Sequence, residues 1–178
     1  MIQKPNAKPH DSGNIRTVMS ALAWVSLMAF LGFYFKDMLD EQQNPNQSLQ
    51  TSYVESHVRE VALKRNKYGH YVTSGRINGQ PVVFMLDTGA TGVAIPDHIA
   101  RKLGIRRGRA FQVQTANGTA ISYSARLDSV SVGDIVLNDV SAGISPGFKG
   151  DEILLGMSFL KHIEFTQRGD ILILKQYF

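Results

Sequence analysis

The stretch VVFMLDTGATGVAIP, residues 82–96, runs five apolar residues into Asp87, follows them with Thr88 and Gly89, and turns apolar again. An ionised carboxylate among apolar neighbours is costly unless it is hydrogen-bonded or paired. One arrangement makes that cost useful: two such acids about 3 Å apart share a single proton and hold a water between them. One acid then ionises early and serves as base, while the other stays protonated and serves as acid. The small residues have reasons in that arrangement. Gly89 lets a turn bring backbone N–H groups against the carboxylate, the Thr88 hydroxyl reaches across to an opposing loop, and Ala90 leaves room. Taken alone, Asp87 also fits an ordinary turn-forming acid at a strand end.

Competing chemistries find little support. The chain has no cysteine, which removes disulfides, thiolate catalysis and cysteine-zinc sites together. His10, His57, His70, His98 and His162 show no metal-ligand spacing, and Ser158 in GMSFL lacks the second Gly of a nucleophile elbow. Nothing marks a second acid at the separation a glycosidase needs. The net charge of +4 is modest and concentrated in the first forty residues and in RKLGIRRGR, residues 101–109, so no broad nucleic-acid footprint exists. That basic run reads as a solvated face, with an acidic substrate or anionic lipid as the other reading.

The elements that must position Asp87 read as β. Asn78-Gly79 sits between two strand-like runs, the strongest short-range hairpin signal, and Asn117-Gly118 repeats the device between FQVQT and TAISYSA. Alternation around the second pair is that of a two-faced ribbon. Gly133-Asp134 separates two more strands, and GDILILKQYF supplies a last one. Helix signals are confined to residues 96–103, with Pro96 and Asp97 as a start and Gly104 as a stop, and to a short turn at 157–161. Many short strands with turn residues about every ten positions predict a small, closed, all-β barrel. A weak internal echo places Asp139 where Asp87 would fall, but without the following Gly, so it reads as structural duplication.

Ahead of the barrel, residues 17–35 carry no charge and are flanked by Arg16 and Lys36. Nineteen helical residues span roughly 28 Å, close to the hydrocarbon core of a bilayer. Lys4, Lys8 and Arg16 precede this span, and Lys36, Asp37, Asp40 and Glu41 follow it, so the positive-inside rule puts residues 1–16 in the cytoplasm. The expected layout is a cytoplasmic segment 1–16, one transmembrane helix 17–35, a flexible linker 36–53 and a folded domain 54–178 outside an inner membrane, in the periplasm.

LDTGAT resembles the catalytic loop of aspartic proteases, and the remainder is similar to their retroviral, single-lobe type as bacteria carry it behind a membrane span. The resemblance covers residues 69–175. It extends to Leu154, Leu155 and Gly156, which match the hydrophobic-hydrophobic-Gly element packed beside the catalytic loop. It also takes in the hairpin at Thr115, Ala116, Asn117, Gly118 and Thr119, where the family places its flap over a bound peptide, and the short helix signal after the Gly. Thr91 stands where the family commonly has Ser, and keeps the hydroxyl. The resemblance implies an aspartic endopeptidase with Asp87 as catalytic acid, Thr88, Gly89, Ala90 and Thr91 supporting it, a polypeptide substrate, and neither metal nor cofactor. Because the chain has one Asp-Thr-Gly, it also implies a homodimer with one Asp87 from each subunit. The alternative is a non-catalytic module on the same fold that binds a peptide or partner without cutting it.

Overall fold

A computed structural model describes residues 12–55, 57–115 and 118–178. The chain separates into two units with a boundary between Leu39 and Asp40. Helix α1, Ser12–Gln43, is apolar on all sides through its middle and exposed there, Trp24 at 63% and Phe33 at 73%. A helix of this length and composition with no polar face is compatible with a single membrane span.

The second unit is a β structure built from two sheets. β3 (Val72–Ile77) and β4 (Gln80–Leu86) form the hairpin expected at Asn78-Gly79, and both turn residues have positive φ, 49° and 77°. That left-handed pair is what a two-residue turn matching the strand twist requires. The other members are β5 (Val93–Pro96), β6 (Ala110–Thr115), β7 (Gly118–Val132), β8 (Ile135–Ser145) and β9 (Ile153–Leu155). The sheet order is β3-β4-β9-β5-β8-β7-β6, and β3 also pairs with β7, so six strands close on themselves and β6 is left outside. Gly75 permits the closure. A Cβ there would lie 2.6 Å from the Phe84 ring and nearer still to the Ser131 carbonyl. The barrel interior holds Phe84, Ile95, Leu127, Ile144, Leu155 and Phe159, all fully buried.

β7 has two characters. Its second half alternates buried and exposed against the barrel, whereas its first half pairs with β6 as a ribbon in which Phe111 and Ile121 are exposed. Residues 116 and 117, between these two strands in sequence, lie outside the described residues. The helices that follow α1 are short: α2, Asp97–Lys102, stopped at Gly104 with φ 69°, and α3, Met157–Leu160.

The second sheet has the order β1-β2-β11-β10, with β1 at Thr51–Glu55, β2 at Val58–Lys64, β10 at Glu164–Arg168 and β11 at Ile171–Tyr177. The ILIL run therefore ends the chain as an inner strand of a separate sheet and not as the barrel's last strand. Its Leu172 and Leu174 join Val61 and Leu63 in the core.

The segment expected to be a flexible linker differs most. α1 continues through Gln43, Asn44 and Asn46 are buried, and β1 begins at Thr51. The Asn46 amide donates to the carbonyls of Lys64 at 2.9 Å and Val72 at 2.6 Å, and its side-chain oxygen accepts from the Lys64 N–H at 2.7 Å. Polar composition suggests a solvated stalk, but an asparagine amide carries both donor and acceptor and can close the ends of two strands as backbone would. The folded unit starts near Asp40, not at residue 54.

Candidate active site

Strand β4 delivers Asp87 at its C-terminal end, directly after the half-buried Leu86, and the loop 87–92 turns the chain into β5. The backbone holds this loop from several directions. The Asp87 N–H donates to the Leu155 carbonyl at 3.2 Å, which ties the loop to β9. The Ala90 N–H donates to the Asp87 carbonyl at 3.2 Å, closing the turn, and the Gly89 N–H donates to the Asp87 carboxylate, Oδ1, at 2.9 Å. A Cβ on Gly89 would sit 3.1 Å from that oxygen, so the glycine is what lets the amide come so near. Asp87 itself is half-buried. Among the described residues its other carboxylate oxygen has no hydrogen-bond partner, and it is therefore available to a group from outside this chain.

Leu154, Leu155 and Gly156 lie against the loop. Met157, first residue of α3, donates its N–H to the Ala90 carbonyl at 2.8 Å. At Gly156 a Cβ would stand 2.5 Å from the Ala90 carbonyl oxygen and nearer still to that of Gly92, so two carbonyls of the loop occupy the volume a side chain would need. Thr88 and Thr91 are exposed, and among the described residues neither hydroxyl has a partner. Thr115, Gly118 and Thr119 stand at the tip of the β6–β7 ribbon, where the Thr115 hydroxyl donates to the Gly118 carbonyl at 2.7 Å and that of Thr119 donates to Gln114 at 3.1 Å. Ala116 and Asn117, assigned to the same tip, are outside the described residues.

Ser158 has a place that its weighing as a nucleophile missed. Its hydroxyl donates to the Ser141 carbonyl of β8 at 2.8 Å and accepts from the Val93 N–H at 3.0 Å. It clamps the end of the loop, where β5 begins, to the neighbouring strand β8. Its position two residues after Gly156 was the available signal, since whatever follows that glycine must lie beside the loop.

Around the loop, the basic run resolves into specific pairs. Asp97, buried at the start of α2, binds Arg101 at 2.7 Å and accepts from both Nε and Nη2 of Arg107. The hydrogen bond from Arg107, reinforced by the nearby guanidinium charges, holds the Asp97 carboxyl below the ordinary carboxylate range despite its burial. Asp139, with φ 59°, is likewise held low by Arg126, which donates to both of its oxygens. It is thus an ion-paired surface acid, in keeping with its reading as an echo of Asp87 without the same task.

The family model described as "gag-polyprotein putative aspartyl protease" matches residues 73–162, just over half of the chain and all of the loop and its platform. An uncharacterized protein of Sinorhizobium sp, encoded in the cobV 5′ region, is 34% identical over 112 residues, which cover 61% of this chain and 48% of the relative. An uncharacterized protein of Rickettsia prowazekii (strain Madrid E) is 32% identical over 121 residues, 66% of this chain and 52% of that one. The chain thus spans about half the length of these curated relatives. The crystal structure of a retropepsin-like aspartic protease from Rickettsia conorii superposes with a TM-score of 0.54 at 28% identity, covering 72% of this chain and 95% of that one. Loop, platform and closed barrel fall within one matched stretch, and on that match the chain belongs to the retropepsin-like aspartic proteases.

Proposed function

We propose that this protein is a membrane-anchored aspartic endopeptidase that works as a homodimer. The observation that carries the reading is the loop 87–92: a half-buried carboxylate, fixed on one oxygen by the Gly89 amide and open on the other, at the end of a strand seated on the Gly156 platform. One chain supplies one such acid, so the shared proton requires a second copy facing it. Water held between the two Asp87 side chains attacks the peptide carbonyl with one carboxylate as general base. The protonated partner polarises that carbonyl and then protonates the leaving nitrogen. Across the dimer the exposed Thr88 hydroxyl reaches the opposing loop, and Thr91 supports the carboxylate from its own side. The substrate lies extended, its backbone paired with the ribbon tip at residues 115–119 as an added strand.

Helix α1 anchors the domain. The cations before it and the mixed charges after it support a cytoplasmic N-terminus and a periplasmic catalytic unit. The full-length chain, reconstituted in lipid nanodiscs, should cleave members of a peptide library most rapidly at mildly acidic pH, because one acid must keep its proton. Asp87→Asn should lose turnover with its melting temperature held within a few degrees. Cleavage retained in that variant, or a rate rising steadily into alkali, sinks the assignment.

A further inference from the structure

Residues 104–109 connect α2 to β6 and run along the face of β7 and β8, and between them lies a groove of about 650 Å³. Its outer wall is fixed. The Gly108 N–H donates to the Ser124 carbonyl at 2.7 Å, the Arg109 N–H donates to the Ser124 hydroxyl at 3.0 Å, and a Cβ on Gly108 would stand 2.6 Å from that hydroxyl. The floor is small and largely apolar, with Ala125 and Ala142 beside the Phe111 ring, and no acid is among the residues that line it. Three guanidiniums do line it: Arg106, Arg107 and Arg126.

Their states differ. Arg126 is engaged by Asp139 and by the Ser141 hydroxyl at 2.9 Å. Arg107 is held in place by Asp97 and stacks over the Tyr123 ring at 4.7 Å, but Asp97 takes only its Nε and one terminal nitrogen. Since a guanidinium carries five N–H donors, the other terminal nitrogen of Arg107 remains for a ligand. Arg106 is exposed and among the described residues has no acidic partner. A concave apolar floor rimmed by one pre-positioned and one uncommitted guanidinium suits a carboxylate carried on an extended chain. A flat bilayer surface would leave such a groove unfilled.

The groove also lies close to the loop. Ser141, part of its lining, places its carbonyl oxygen 3.7 Å from where a Gly92 side chain would begin. Gly92 is five residues beyond Asp87, so the chain between them spans at most about 18 Å. An extended peptide, rising about 3.4 Å per residue, covers that distance in roughly five or six residues.

We propose that this groove binds an acidic segment of a polypeptide, its carboxylates on Arg106 and Arg107. Given the proposed endopeptidase activity, on which the positional part rests, the acid lies several residues to one side of the bond that is cut.

The binding is read without catalysis. The full chain carrying Asp87→Asn, in phosphatidylcholine nanodiscs, is titrated with a fluorescent octapeptide containing four Glu, and with the same peptide carrying Gln instead. The Glu peptide should bind more tightly by about tenfold, and Arg106→Glu should weaken it about fivefold or more with the melting temperature unchanged, while Arg106→Lys loses less. Equal binding of the two peptides, no measurable binding, or indifference to Arg106→Glu overturns the proposal. So does loss of the peptide's Arg106-dependent binding when phosphatidylserine is put in the discs, which would make the groove a lipid site. Binding as expected with no cleavage by the parent chain keeps the groove and removes the protease reading. Cleavage by the parent with no binding removes only the groove.

Discussion

Gly156 shows what a single missing side chain does for the site. With the Ala90 and Gly92 carbonyl oxygens where its Cβ would stand, alanine there forces backbone apart, and both oxygens belong to the loop that carries Asp87. Overpacking of this kind costs about 1–3 kcal/mol or more. Gly156→Ala should lower the melting temperature by several degrees, and by more than Gly89→Ala does, because at Gly89 the neighbour is a side-chain oxygen at 3.1 Å that can shift. Equal melting temperatures for Gly156→Ala and the parent would contradict the packing described. Asp97 gives a pH dependence. Its carboxyl is held low in the folded chain, chiefly by the hydrogen bond from Arg107, so its contribution is present above its ordinary value near 4 and is lost as pH falls through the folded one. Melting curves of Asp97→Asn should lie below the parent at pH 7 and converge with it well below pH 4.

At the scale of elements, the sequence was most informative where local chemistry decides the structure. Asn78-Gly79 and Gly133-Asp134 set two hairpins, in which Asn78, Gly79 and Gly133 take up the positive φ that favours these residue types, and the start and stop of α2 followed from Pro96, Asp97 and Gly104. The platform could be paired with its loop because Leu154, Leu155 and Gly156 form a recognisable element. What stayed hidden was long-range. No local pattern announces that Ser158 would bridge Val93 and Ser141, or that β11 would lie between β2 and β10. The segment following α1 was misread for a related reason: asparagines in a polar stretch look solvated until their strand-end partners, eighteen or more residues away, are in place. Asn46→Ala should therefore cost about 1–3 kcal/mol by leaving the buried Val72 carbonyl and the partly buried backbone groups of Lys64 unpaired. A chain beginning at residue 54 should melt well below one beginning at residue 40. Indistinguishable melts would restore the flexible linker.

At the scale of the whole molecule, one Asp-Thr-Gly loop per chain carries a consequence for dosage. If the working unit takes one acid from each of two copies, a defective copy does more than fail to contribute, because it occupies a place beside a sound one. Co-reconstitution of equal amounts of parent and Asp87→Asn chains, allowed to exchange freely, should leave roughly a quarter of the pairs with two native acids, and activity should drop to about that fraction. A fall to only one half would mean that each chain cuts alone. In a cell, such a lesion would act as a dominant poison in proportion to its expression, and an added copy of the intact gene would relieve it only partly.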